Sequence, residues 1–421
     1  MVAFHTTNDE HVLAICTPLT KRVHQIIQSS ELVFTDSSGC MDTSNYRFFM
    51  LLTNCCAGGL PLGMSHDCFY GRGSRGPMYF MTDDCTAERN ALLKVFPESI
   101  SLLCQFHVLR AAWRWQWNSS NGIEPSYRGH FYNLIKRTVC AHTSHELAEA
   151  LTELHHDNVV VSSDKFITYC DKLLQKSEQW ASCYREDAAL RGHNTNNTVE
   201  SFIRVLKDGI LARLKAFNLV QLVDFFVTRL EGYYERRLTN IANNRLDDLR
   251  QSRYFPPDNA IALCNVWLLA ADLVSVPSTT TANVTYFVNT AIWVCSCPVG
   301  VHGAACKHQW AAATKYNLAC FNFLPATAPA LRKLLHYLAT GRDDIPSEWF
   351  AGLRDGTECT MSEMTPAEPM SEMTPAASQL TICRVCSSDK AIRRCAYGAT
   401  VCNACRNFFY CAVKGLPDLL H

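Results

Sequence analysis

Cys295, Cys297, Cys306 and His308 place four soft ligands within one short run, CSCPVGVHGAACKH. Three thiolates and an imidazole meet the tetrahedral demand of a closed structural zinc site. Residues 281–294 alternate like a hairpin that leads into the run. The first ligand pair then falls at a hairpin end and the second at the start of a helix. Whatever the rest of the chain does, a small module organised by Zn²⁺ is expected near residue 300, the plainer reading being buried free cysteines with a His nearby.

A second cysteine cluster occupies the tail. Cys383-x2-Cys386 and Cys402-x2-Cys405 are two knuckles separated by 15 residues, which is zinc-finger spacing. A second structural Zn²⁺ is therefore expected. Cys395 and Cys411 are extra thiols beside these knuckles. The start of the chain shows no charged stretch followed by an apolar one, so the 22 cysteines are expected as thiols and metal ligands rather than a disulfide framework. No run of 18 apolar residues occurs, so no membrane partner is expected.

With 39 basic and 39 acidic residues, the chain has no net charge, and any attraction for nucleic acid must be local. Residues 381–416 carry six basic side chains against one acid, a composition suited to phosphate contacts. Residues 201–254 carry ten against six, which reads as an exposed helix face of mixed charge.

The order of elements is mixed. Residues 10–29 read as an amphipathic helix, the N-terminal element of a 1–30 segment. Strands are expected at 31–36, 46–53, 58–63 and 78–82, a helix at 85–95, and a buried strand turning into a helix at 101–117. Apolar spacings of three and four predict helices from 125 to 190, then long helices at 198–217 and 219–243. The implied domains are an α/β core over 31–260 with a helical insertion at about 110–190, a zinc module at 281–325 and a helical segment at 326–355. A flexible linker at 356–380 holds the repeat MSEMTPA twice, and the cysteine-rich tail covers 381–416.

Three acids stand at telling places. Asp36 ends the first core strand, Asp83 ends the fourth, and Glu200 opens a helix in NTNNTVESFIRVLK. Strand-end carboxylates with a helical glutamate can hold two Mg²⁺ ions about 4 Å apart for phosphodiester chemistry. Each has a plainer reading: Asp36 and Asp83 as turn residues, and Glu200 as the third helical position of a capping box begun at Asn197.

These blocks resemble a family. LVFTDSS, AGGLPLG, GRGSRGPMYFMTDDCTAERNAL, LLCQFHVLRAAWRW and NTNNTVESFIRVLKD are similar to successive motifs of Mutator-like (MULE) transposase-derived proteins, and the Cys295–His308 run resembles the SWIM zinc finger that accompanies them. The resemblance covers about residues 10–320. It implies an RNase H-like core with Asp36, Asp83 and Glu200 as the catalytic trio, and DNA as partner. Asp36 and Asp83 would sit on neighbouring parallel strands, with Asp83 rather than Asp84 as the second acid. Cys104-x2-His107 matches the family's Cys/His block. Two ligands cannot close a zinc site, so a packing role is assigned to it.

One departure bears on activity. Only 15 residues, 64–78, join the third and fourth core strands, where the family carries a helix. Parallel crossovers usually need a dozen or more residues with a helix that covers the sheet. The core is therefore expected to be incomplete, and the expected function is a nuclear, zinc-binding, DNA-binding protein without catalysis. Active Mg²⁺-dependent strand transfer and a SWIM-mediated scaffold for protein partners are the alternatives.

The tail resembles the first zinc finger of nuclear-receptor DNA-binding domains, in CNACRNFF at 402–409 and in Tyr397-Gly398. That resemblance implies a helix entering the major groove, as in sequence-specific transcription factors. Asn403, Ala404 and Arg406 would face bases and Lys414 a phosphate. The second four-cysteine finger of that family has no counterpart here.

Overall fold

The computed structural model describes residues 2–6, 11–44, 46–63, 76–185, 188–216, 218–245, 261–325, 328–351, 392–394 and 400–402. The 64–78 link lies mostly outside these residues, as do the 356–380 linker and nearly all of the tail.

The chain opens on a hairpin, not on the helix expected over 10–29. Strand β1 (Val2–Thr6) pairs antiparallel with β2 (His11–Ile15). Helix α1 spans only Pro18–Val23. Pro18 fits the first helical turn but drives the residue before it to extended backbone, so helix cannot run through Thr17. Thr17 instead caps α1, its hydroxyl accepting from Thr20 N–H at 3.3 Å and its own N–H donating to Thr20 Oγ1 at 2.8 Å. A short α2 (Gln28–Glu31) then leads into the core.

The core is a five-stranded mixed sheet. Its members are β3 (Leu32–Ser38), β4 (Phe48–Cys55), β5 (Gly58–Gly63), β6 (Tyr79–Thr82) and β7 (Ile100–Leu103), in the order β5-β4-β3-β6-β7. The first three run antiparallel to one another, and β6 and β7 join parallel to β3. Leu32, Val33, Phe34 and Thr35 are all buried, the continuous pattern of a strand covered on both faces. Helix α3 (Thr86–Val95) links β6 to β7.

Helix α4 (Gln105–Trp117) leaves the sheet for a helical insertion of α5 (Pro125–Cys140), α6 (Ser144–His156), α7 (Asn158–Val161), α8 (Asp164–Leu174) and α9 (Ser177–Trp180). The insertion has its own core around Phe131, Phe166 and Trp180, with Phe131 and Phe166 stacked at 4.0 Å. Trp115 of α4 stacks on Tyr169 of α8 at 4.6 Å. Gln105 ties this core to the sheet end by donating to Trp180 O at 2.8 Å. The insertion stops being helical at Arg185, and the segment 188–196 is loop.

Helix α10 (Asn197–Arg204) lies across β3, β4 and β5 and continues as a π-helix over Val205–Ile210. It ends there rather than at 217, where Ala212 and Arg213 take positive φ. The helix expected over 219–243 is α11 (Leu219–Asp224), a π-helical stretch Phe225–Leu230, and α12 (Glu231–Ala242).

The zinc-run module is larger than the 281–325 segment expected. Its sheet begins at β8 (Trp267–Ala270) and continues through β9 (Leu273–Pro277), β10 (Thr285–Asn289) and β11 (Val294–Cys295) in sequential antiparallel order. Helix α13 (Lys307–Tyr316) packs on it over Val274, Val276, Val288 and Trp293. Helices α14 (Pro329–Thr340) and α15 (Ser347–Ala351) follow, and α14 packs on α12 and α1. Arg22 of α1 donates to Leu338 O and Ala339 O, both at 2.8 Å, and so caps the last turn of α14. In the tail, β12 (Ile392–Arg394) pairs antiparallel with β13 (Thr400–Cys402). The described cysteines from Cys16 to Cys320 are free, and among the described residues no helix is long and apolar enough to cross a membrane.

Candidate metal centres and the carboxylate cluster

β11 and the first turn of α13 bring Cys295, Cys297, Cys306 and His308 together. One ligand atom from each lies within 4.8 Å of all the others, and all four residues are buried. Sulfur–metal bonds of about 2.3 Å would put ligands roughly 3.8 Å apart in a tetrahedron, so only small shifts separate this cluster from a filled site. Both ring nitrogens of His308 are buried with no hydrogen-bond partner of proper geometry. Such orphaned nitrogens are costly in a protein interior unless a ligand takes one of them.

The backbone is arranged for thiolates. Gly300 N–H donates to Cys297 Sγ at 3.2 Å and Gln309 N–H to Cys306 Sγ at 3.5 Å. Contact with the Cys295 and Cys306 thiols drives Cys297 far below the usual thiol range, while contact with Cys297 drives Cys295 far above it. Two thiols holding their protons against one thiolate is what a positive ion would relieve. Gly300 is forced by the site: a Cβ there would lie 2.5 Å from Cys295 Cβ and 3.0 Å from Cys306 Sγ. The group can hold a metal ion, and its donors fit one.

The second site stands at the parallel end of the core sheet. β3 and β6 pair as far as Phe34 opposite Met81, and Asp36 and Asp83 follow two residues further along their own segments. Glu200 arrives from the first turn of α10. The charges are close enough to matter: burial, then the Asp83 charge and to a lesser degree Glu200, raise the Asp36 carboxyl above its usual range. Asp84, in contrast, pairs with Lys176 at 2.6 Å and Arg89 at 3.4 Å.

Two members of this cluster escaped the sequence reading. His107, assigned a packing role, stands among the acids. Its Nδ1 is 2.7 Å from Asp83 Oδ1 and its Nε2 is 3.6 Å from Glu200 Oε1. Burial lowers its proton affinity, but the Asp83 carboxylate and the Cys104 thiol outweigh that and push it up to about 10. Cys104 is fully buried, and Asp83, Cys104 and His107 offer ligand atoms within 4.8 Å of one another. The other member is Glu88 of α3, buried beside Asp36 and accepting from Thr35 Oγ1 at 2.8 Å; burial raises its carboxyl. Only its spacing one turn beyond Asp83, on a helix leaving the same strand end, could have signalled it. The donors Asp36, Asp83, Glu88 and Glu200 are all oxygens, which suits Mg²⁺, although unlike the Cys295–His308 group their ligand atoms do not all come within 4.8 Å of one another. Among the described residues, His107 is the one cationic group that contacts the trio.

The loop 188–196 connects the two sites. Arg191 forms a buried two-armed pair with Glu31 at 2.5 and 2.6 Å, and donates to Asn322 Oδ1 at 3.2 Å beside the zinc run. Asn322 donates to Gln309 Oε1 at 2.9 Å. At the other end of the loop, buried Asn196 donates from Nδ2 to Asp83 Oδ1 at 2.9 Å, and its backbone N–H points to Cys104 Sγ at 3.3 Å.

Of the tail residues, Cys402 ends β13. Cys383, Cys386, Cys405, Asn403, Ala404, Arg406 and Lys414 lie outside the described residues. No protein-family model matches the chain, and no curated protein matches it.

Proposed function

We propose that this chain is a DNA-binding protein of Mutator-like transposase descent, with an RNase H-like core and a SWIM-type module that holds structural Zn²⁺. What supports the reading is that Asp36 senses the charges of Asp83 and Glu200, and that His107 lies 2.7 Å from Asp83 and 3.6 Å from Glu200. Oxygen donors from three separate elements of a mixed sheet are an arrangement for meeting a phosphodiester through divalent cations. Bound Mg²⁺ would neutralise the phosphate charge there. Asn196 and His107 hold the Asp83 carboxylate in position, and Thr35 does the same for Glu88. Zn²⁺ at Cys295, Cys297, Cys306 and His308 is favoured by its preference for three thiolates and an imidazole in a closed site. DNA as partner makes the nucleus the location, and the tail with Cys383, Cys386, Cys402 and Cys405 adds a second Zn²⁺-held contact.

The proposed activity is binding without cutting, because a link as short as 64–78 has little room for a helix covering the sheet. Active strand transfer is the second reading, supported by the mutual charge influence of Asp36, Asp83 and Glu200. Both are tested on the purified full chain by anisotropy with labelled duplex DNA over a salt series, and by a nicking assay with Mg²⁺. The expected result is salt-dependent binding with no nicking. Nicking that vanishes in Asp36→Asn would establish the second reading. No DNA affinity even at low salt would overturn both.

A further inference from the structure

We propose that the groove between α4 and α8 is a track for one unpaired DNA strand, leading it past the carboxylate cluster. This rests on the DNA-binding reading above and adds where the strand lies and in what form. The groove encloses about 650 Å³ and opens at Asp83 and His107. From there its walls turn basic. Arg110 and Arg114 of α4 and Lys172 of α8 are exposed along it, and among the described residues none of the three makes an ion pair. Lys176 also lines it, answered by Asp84. Acid at the mouth and unanswered cations along the wall fit a polyanion whose backbone continues away from a metal-held phosphate.

The neighbouring face of α4 supplies the second half of the argument. Phe106, Arg110, Trp113 and Trp117 recur at spacings of four, three and four, which puts them on one stripe. Phe106, Trp113 and Trp117 are 43%, 40% and 55% exposed. Cations alternate with the rings: Arg110 lies 6.0 Å from the Phe106 centroid and Arg128 4.3 Å from that of Trp117. Trp113 leans on Trp117 at 5.6 Å and meets Tyr132 edge-on at 5.4 Å, yet much of all three rings stays in water on one stripe, which suits a partner. Bases are that partner, since every base offers a π-face, and aromatic stripes beside a basic groove are how single strands are held without sequence readout. A duplex keeps its base faces stacked inside, so the rings would meet nothing there. The structure therefore assigns this surface to a single strand.

The test uses the full zinc-loaded chain, a labelled single-stranded oligonucleotide and its duplex. In the triple variant Arg110→Ala, Arg114→Ala, Lys172→Ala, the slope of log affinity against log salt should fall by about 2, from three phosphates at roughly 0.7 each. The double variant Trp113→Ala, Trp117→Ala should lose roughly 10-fold or more in single-strand affinity while its salt slope and duplex affinity stay unchanged. These side chains are exposed, so an unchanged melting midpoint verifies that both variants fold. Wild-type affinity for the single strand in both variants would overturn the track and leave DNA binding elsewhere on the molecule intact. A wild-type chain that binds neither form would instead bring down the DNA-binding reading itself.

Discussion

At Gly300 a single hydrogen decides whether the metal ligands can meet. The Gly300→Ala methyl would fall 2.5 Å from Cys295 Cβ, so either the thiols separate or the backbone shifts. Overpacking of this kind costs about 1–3 kcal/mol. We expect weaker Zn²⁺ retention against a chromophoric chelator; retention equal to wild type would show that the knuckle is more plastic than its contacts imply. Asp36 makes a different prediction. Its folded-state proton affinity is raised by burial and by Asp83, so ionising it disfavours the fold as pH rises through that raised value. Asp36→Asn should therefore raise the melting midpoint in chelator at neutral pH and change little in acid, where wild-type Asp36 is already protonated. It should also remove any stabilisation by added Mg²⁺. A neutral-pH midpoint below wild type would contradict this sign. The grouping of Cys295, Cys297, Cys306 and His308 was legible in the chain because their spacing is a local fact. His107 and Glu88 were not, because which face of α3 and α4 meets the acids is fixed by how these helices pack.

Among elements, the loop 188–196 has the most to hold. It carries one end of a buried ion pair, Arg191–Glu31, and reaches both the zinc run and Asp83. Removing one partner of a buried pair typically costs about 3–5 kcal/mol. Arg191→Ala should destabilise by that much in denaturant titration. The double variant with Glu31→Gln should cost less than the two single changes added, because the stranded carboxylate is gone; strict additivity would mean the pair is not coupled. The elements themselves were partly legible. The core strands are short apolar runs with clear ends, and they read within a residue or two. The first helix did not, since HVLAI has β-branched residues that the hairpin pairing of β1 with β2 claims. The strand β8 was missed because its residues Trp267–Ala270 are a uniform apolar run that is exposed throughout, with no alternation to detect. The π-helical stretches after α10 and α11 are set by packing and have no sequence period of their own.

On the scale of the whole molecule, three separate cores share one chain: the sheet with α10, α12 and α14, the helical insertion, and the zinc-run module. If the Cys295–His308 group holds the proposed Zn²⁺, a strong chelator should loosen residues 261–325 first. Hydrogen exchange should rise there while β3 and β6 stay protected, and uniform loss of protection would mean that the cores unfold as one. The cap that Arg22 places on α14 also has a consequence in time. These partners are 316 residues apart in the chain. At synthesis rates of about 5–20 residues per second, α1 waits roughly 16–60 s for the carbonyls it will close upon. Once α12 has emerged, its apolar side stands uncovered until α14 follows, so a nascent chain of this protein is a natural client for chaperones until α14 leaves the ribosome.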